Sequence, residues 1–326
     1  MDIVGIFPLY LPWRRAGAEV MAHALLRGLA SRGHSIQVLV VPEIRSDASL
    51  PFEEVPLDGI QIKVCTIGEL PALLDRSRSI DVIIGQLGAS PIAAELARSY
   101  RSKYVEVVHA DDPRTYRNLI SCRPDLTIFN TRLLRDFFLA HCGRSEVLHP
   151  PVSPEIHRTH KGSHVTLVNL REDKGVGVFR SVAEQLPDIP FLGVVGGYGV
   201  QEQDFPENVT IQQHTQDMRS DVWSRTRILM MPSKAESYGM VALEAAASGI
   251  PVIASMLAGI REAMGPSAIY LHRKEIDAWR SHIKRLTEDS EHERELSRTS
   301  SARSERVYRK HLLELAQAMH AIESLA

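Results

Sequence analysis

Apolar runs of strand length alternate with segments of helical periodicity twice over, and HPPVSPE at residues 149–155 separates the two series. That alternation constrains the fold more than any other feature. A strand–helix–strand unit returns to its own sheet in parallel, with the helix packed on one sheet face. In the first series DIVGIF precedes AEVMAHALLRGLASRG, where Val20, Ala24, Leu25 and Leu29 share one helical face and Gly33 suits the C-terminal cap. SIQVLVV, DVIIG, PIAAELARSY, KYVEVVH, LTIFN, TRLLRDFFLAHCG and SEVLH continue it. The prolines of the connector fix φ and disfavour helix before them. The pattern then restarts with HVTLVN, a helix from about Gly175, PFLGVVGG, NVTIQ, RILMMPS and SAIYLH, and ends in a charged helical tail from Lys274. The expectation is an α/β chain of two doubly wound parallel-sheet domains facing each other across a cleft. They cover 1–150 and 151–307, and a final helix over 308–326 packs back toward the first domain. Ligands of such sheets bind beyond the carboxyl ends of the strands.

A formal net charge of −2, with 24% charged residues, lacks the basic field of a dedicated nucleic-acid binder. Three cysteines without a CxxC pair fit reduced thiols and a cytoplasmic location. MDIVGIFPLY has no basic leader and reads as a buried first strand, and no apolar run approaches the roughly 20 residues of a bilayer span. The first helix carries Arg27 and Arg32 but no broad cationic face, so membrane attachment is expected to be weak or absent and stable insertion is not expected. VVGGYGVQE breaks the dinucleotide-binding glycine pattern. No spaced His/Cys/Asp/Glu set suggests a metal, so no essential metal and no cofactor are expected. Oligomeric state is left open.

Chemistry concentrates in SKAESYGMVALEAAASGIPVIAS, residues 233–255. Glu236 precedes a predicted helix and Glu244 lies inside it, among Ala, Leu and Val that leave no polar face for a solvated carboxylate. About six residues of helix between them span roughly 9 Å. Between the two acids come Ser237, Tyr238, Gly239, Met240 and Val241, whose early amides have no helical acceptor and sit at the positive end of the helix dipole. That is an anion site, and Gly239 admits close approach. A carboxylate on either side of an anion cradle matches a ligand shaped hydroxyl–diphosphate–hydroxyl, as a nucleotide sugar is.

ESYGMVALEAAASGIPVIAS resembles the E-x7-E signature of retaining nucleotide-sugar glycosyltransferases of the family-4 type. Three further segments agree. RRAGAEVMAHALLRGLASRGHSIQV resembles the family's first loop and helix, with Ala16 in place of the first glycine and Gly17 and Glu19 kept. VVH at 107–109 matches the strand that ends in the family's active-site histidine, and NLREDKGVGVF matches its R-x4-K-G segment. The last match departs from the pattern: the arginine position is Asn169, while Lys174 and Gly175 hold register. Either Arg171 supplies the missing cation or Lys174 meets the diphosphate as the main charge.

The resemblance implies the GT-B fold of two Rossmann-like domains and transfer of a sugar from a nucleoside diphosphate donor to an acceptor hydroxyl with retention of configuration. A hexosyl or N-acetylhexosaminyl transferase is the expectation. It places Glu244 on the ribose, Lys174 and the amides of 238–241 on the diphosphate, Glu236 on sugar hydroxyls, and Gly17 and His109 on the acceptor side. Read alone, Gly17 is a turn glycine, His109 a hydrogen-bonded core residue and Lys174 a solvated loop residue. Glu19 supports its loop, and Arg14 and Arg15 are solvated. The alternatives are a GT-B isomerase or phosphorylase and a non-catalytic nucleotide-sugar binder.

Overall fold

A computed structural model describes residues 1–42, 54–74, 79–197 and 199–325, so Tyr198 of the glycine-rich segment lies outside the described residues. The first series of apolar runs becomes an eight-stranded sheet of β1 (Asp2–Phe7), β2 (Ser35–Val40), β3 (Glu54–Leu57), β4 (Ile60–Val64), β5 (Val82–Gln86), β6 (Lys103–Val108), β7 (Leu126–Phe129) and β8 (Ser145–Val147). Its spatial order is β3-β4-β2-β1-β5-β6-β7-β8. The second series forms β9 (His164–Val168), β10 (Phe191–Val194), β11 (Val209–Gln212), β12 (Thr226–Met231), β13 (Val252–Ser255) and β14 (Ile269–Leu271), in the order β11-β10-β9-β12-β13-β14.

Strands in both sheets read as near-continuous apolar runs because helices cover both faces. Along β1, Val4 and Ile6 join a core with Leu39, Ile83 and Ala93, while Ile3 and Phe7 join another with Met21, Leu25 and Val38. Along β12, Ile228 and Met230 face Phe179 and Trp279, whereas Leu229 and Met231 face Trp223 and Leu243. This is the two-residue alternation of a strand applied to a doubly covered sheet.

One edge departs from the all-parallel expectation. β3 and β4 pair antiparallel through Asp58–Gly59, whose φ values of 50° and 79° suit the tight hairpin turn that Asp-Gly favours. The Asp-Gly signal was present in the sequence, but the preceding stretch carried no strand pattern to pair it with.

The chain divides into one unit of Met1–Pro151 with His311–Ala326 and a second of Val152–Lys310. The end of the long helix Ser290–Glu323 is tied into the first unit. Ala318, Met319 and Ile322 enter its core, Glu314 lies 2.7 Å from His149 Nδ1, and Glu323 pairs with Arg32 at 2.8 Å. In each sheet the strand order reverses once, between β1 and β5 in the first and between β9 and β12 in the second. Loops leaving neighbouring strands diverge at such a reversal and open a crevice at the carboxyl ends.

Candidate functional site

The switch point of the second unit lies between the loops after β9 and β12, and these carry most of the residues singled out in the sequence. Lys174 Nζ lies 2.7 Å from Glu236 Oε1, and Ser233 Oγ donates to the same oxygen at 2.9 Å. Both partners of the ion pair are mostly shielded, with side chains 21% and 15% exposed, so the pair is held by its surroundings rather than floating in solvent.

Backbone contacts lock the two loops together. Gly175 has φ +90°, and a Cβ there would stand 2.2 Å from the Pro232 carbonyl oxygen. The Lys234 amide donates to the Asp173 carbonyl at 2.8 Å. Arg273 Nε donates to the Pro232 carbonyl at 2.8 Å while its NH2 group reaches the Glu172 carbonyl at 2.7 Å. On the other side, a Cβ on Gly259, in the helix Ala258–Met264, would fall 2.4 Å from the Glu236 carbonyl oxygen and 2.5 Å from that of Ser237. Ser233, Arg273 and Gly259 position the loop, and only the fold reveals them.

The following helix runs Met240–Ala247, starting later than the sequence reading placed it. Gly239 is its N-cap at φ +94°, with no side chain to cap the first turn. Tyr238 is therefore a buried loop residue and Ser237 an exposed one. The Ala242 amide bonds back to the Gly239 carbonyl at 3.1 Å, so Met240 and Val241 are the residues whose amides belong to the open first turn. Glu244 is half-buried, while Ala242, Leu243 and Ala245–Ala247 around it are buried.

Asn169 accounts for the departure from the arginine pattern in backbone terms. Its φ is +74°, the left-handed region that asparagine tolerates better than arginine. Its Oδ1 accepts from Gln201 Nε2 at 3.1 Å, and Gln201 Oε1 accepts from the amides of Leu170 at 2.8 Å and Gly196 at 2.9 Å. A Cβ on Gly196 would lie 2.5 Å from the Asn169 side chain. Arg171 Nε lies 2.8 Å from Asp173 Oδ1.

In the first unit, Gly17 opens the helix Gly17–Ser31, and Glu19 Oε2 accepts from the Ala16 amide at 3.2 Å, which makes Glu19 a capping residue. His109 follows β6 and is buried. Its Nε2 lies 2.8 Å from Gln86 Oε1, and its carbonyl accepts from Asn130 Nδ2 at 3.1 Å. Burial pushes the His109 pKa down to about 4, so the ring is neutral near pH 7. With Gln86 Oε1 as acceptor, Nε2 carries the proton and Nδ1 is the ring nitrogen that keeps its lone pair. Beside it in a small cleft, Glu106 accepts from Ser90 Oγ at 2.7 Å and from the Tyr104 hydroxyl. Burial raises its pKa to about 7 despite those bonds. Gln86 is a core residue by its position on β5, and nothing in the sequence distinguishes it from packing. Among the described residues no group of three or more His, Cys, Asp or Glu side chains is placed to hold a metal ion.

Residues 15–156 match the family described as Glycosyltransferase Family 4, and residues 164–289 match the one described as Glycosyl transferases group 1. The chain is similar to D-inositol 3-phosphate glycosyltransferase of Corynebacterium urealyticum, 26% identical over 34% of this chain and 30% of the relative. The chain thus spans about a third of the length of that curated relative. Among solved structures, sucrose-phosphate synthase from Thermosynechococcus elongatus is 14% identical, with a TM-score of 0.78 covering 100% of both chains. Anabaena HepE in complex with UDP-glucose is 17% identical, with a TM-score of 0.77 covering 100% of both. These likenesses show the fold, GT-B. With two glycosyltransferase family matches spanning most of its length and the E-x7-E acids in place after β12, the chain belongs to the glycosyltransferases of the family-4 type.

Proposed function

We propose that the protein moves a sugar from a nucleoside diphosphate sugar to an acceptor hydroxyl, with retention of anomeric configuration and without an essential metal. The observation that carries the reading is the Lys174–Glu236 pair at 2.7 Å beside an uncapped helix N-terminus. An arriving diphosphate competes for Lys174 and is met by the first-turn amides at Met240 and Val241. Glu236, released from the ammonium but still held by Ser233, then accepts hydrogen bonds from the sugar hydroxyls. Glu244 accepts from the ribose hydroxyls. As the sugar departs, charge builds on the diphosphate, where the fixed amides and Lys174 stabilise it. His109 offers its Nδ1 lone pair to a sugar or acceptor hydroxyl, and Gly17 lines the acceptor side. Among the described residues no carboxylate stands out as a covalent nucleophile, so the acceptor oxygen attacks on the same face as departure and its proton passes to the leaving diphosphate oxygen. The UDP-glucose held by HepE supports a nucleotide sugar as donor.

Asn169 favours one second reading, a binder without turnover. Incubating the chain with UDP-, GDP-, ADP- and dTDP-sugars, with and without EDTA, separates the two. The transferase reading expects slow release of nucleoside diphosphate from one donor, undiminished by EDTA. Binding with no release from any donor or acceptor would overturn it, and release restored only by Mg²⁺ or Mn²⁺ would overturn its metal independence.

A further inference from the structure

One buried carboxylate takes no part in the transfer chemistry. Glu106 on β6 is 2% exposed, and no cation pairs with it among the described residues. Ser90 Oγ donates to its Oε1 at 2.7 Å, the Tyr104 hydroxyl donates to Oε2, and the Asn118 amide is a third donor. Gly85, in register with Glu106 on β5, leaves room for the Tyr104 ring, since a Cβ there would stand 3.0 Å from the hydroxyl. A carboxylate removed from water in this way is costly even with its bonds made, and its position calls for a role.

Asn118 carries this network toward His109. It is buried in the helix Pro113–Cys122, and its Nδ2 also donates to the Leu87 carbonyl at 2.9 Å. Leu87 has φ +53°, a left-handed conformation that leucine adopts only under constraint, and such strain gathers at functional sites. Gln86, the residue before it, is fully buried and meets His109 Nε2 at 2.8 Å. Gln86 Nε2 has no partner among the described residues, so no second bond of its own amide aims that side chain, and the Leu87 turn must. Leu87, Glu106, His109 and Asn118 line one small cleft with Asp112 and Arg114.

We propose that Asn118 and Glu106 are positioning residues for His109, holding the Leu87 turn that aims Gln86, and that this hold tightens when Glu106 ionises. All three partners of Glu106 are donors, which suits a carboxylate. A protonated carboxyl accepts more weakly and itself donates through one oxygen, so its pull on Asn118 slackens. Burial sets that change at a pH of about 7. The other groups around it titrate elsewhere or are paired. Tyr104 and Cys122 are held above their ordinary values and His109 is lowered to about 4. Asp112 and Arg114 lie 3.5 Å apart across the cleft, and Arg98, which faces Cys122 from the helix Ser90–Tyr100, pairs with Glu95 at 3.0 Å. The link to turnover rests on the transferase reading, whereas the His109 ring reports the coupling without any substrate.

The test is ¹⁵N NMR of the full chain labelled at histidine. Although His109 itself titrates at about 4, its ring nitrogens should shift with a midpoint at about 7, and Glu106→Gln should abolish that shift. Asn118→Ala should change the His109 tautomer ratio at least about fivefold, the worth of one hydrogen bond. The ionised fraction of Glu106 rises about tenfold between roughly pH 6 and 8. Nucleoside diphosphate release should therefore climb by up to about tenfold over that interval while resistance to urea falls, and Glu106→Gln should flatten the climb. A purely structural role would move activity and stability in the same direction. Absence of an inflection at about 7, an inflection that survives Glu106→Gln, or an unaltered tautomer in Asn118→Ala overturns the proposal. Release that is flat with pH in the wild type overturns the link to turnover. A ring response without release from any donor upholds the coupling and overturns the transferase reading.

Discussion

Gly259→Ala tests whether the loop carrying Glu236 is a positioned part of the site. The added Cβ would lie 2.4 Å from the Glu236 carbonyl oxygen, and such contacts essentially never fall below 3.0 Å. The loop must therefore retreat by about 0.6 Å, because the obstacle is backbone and cannot rotate aside. Overpacking of this kind costs about 1–3 kcal/mol. The substitution regains up to about 1 kcal/mol of helix propensity, since Gly259 lies within the helix Ala258–Met264 at an ordinary φ. Net destabilisation of about 0–3 kcal/mol leaves the unit folded and lowers Tm by no more than about 12 °C. Activity is the more sensitive readout, because a misplacement near 1 Å can cost about a hundredfold. We expect donor kcat/KM to fall at least tenfold, measured by nucleoside diphosphate release, with circular dichroism unchanged. Gly28→Ala is the control. Its Cβ would be 2.7 Å from Met319 Sδ, a movable side-chain end, and activity should be unaffected. Wild-type kinetics for Gly259→Ala would refute the claim that this contact positions Glu236.

Asn169→Arg should lower the melting temperature by about 2–4 °C, since roughly 1 kcal/mol of left-handed strain is added at φ +74°; an unchanged melting temperature would show that the family's arginine fits here after all. Arg171→Ala, its guanidinium held on Asp173, should change kcat less than about fivefold, whereas a hundredfold loss would move the principal cation from Lys174 to Arg171. Gln86→Leu should cut kcat/KM by about tenfold and shift the His109 tautomer seen by ¹⁵N NMR, and an unaltered tautomer would remove Gln86 from that role. For Glu106, whose folded pKa is raised to about 7, stability is present below the unfolded value near 4.5 and is lost as pH rises through 7. Relative to Glu106→Gln, wild-type stability in urea should fall by up to about 3 kcal/mol between pH 4.5 and 7, and parallel profiles would contradict this. His109, with its pKa lowered to about 4, acts oppositely and loses stability as pH falls from 6.5, which is why the variant comparison is needed.

The architecture was legible because parallel sheets covered on both faces write themselves as apolar runs, and helices between them as a different period. The edge hairpin β3–β4 escaped because an exposed edge needs no such run; Glu54 and Lys63 face each other there at 4.0 Å. Within the second unit, the E-x7-E acids and Lys174 could be picked out because they break an apolar or glycine-rich context. Their arrangement could not, since Lys174 and Glu236 are 62 residues apart and meet only because β9 and β12 are neighbours. Gln86 and Arg273 were illegible for the same reason: Gln86 meets His109, 23 residues on, and Arg273 acts through carbonyls, which leave no residue-type signal. Ser233 lies only three residues from Glu236, but a loop serine has no pattern that marks its partner. The conformation of Asn169 was equally hidden, because a positive φ at a non-glycine residue depends on the surrounding turn. The exposure of Leu133, Phe137 and Leu139 was concealed because TRLLRDFFLAHCG reads as an ordinary core helix.

On the proposed reading, the loops after β9 and β12, with the helix from Met240, hold a nucleoside diphosphate sugar. Titration calorimetry of the intact chain with UDP, GDP, ADP and dTDP, and with the sugar conjugate of whichever binds, tests it most directly. Saturable binding to one nucleotide is predicted. Glu244→Ala should weaken it by about 10- to 100-fold, the loss of charge-assisted hydrogen bonds to the ribose hydroxyls. No saturable binding of any of these ligands, or equal affinity in wild type and Glu244→Ala, would contradict the account.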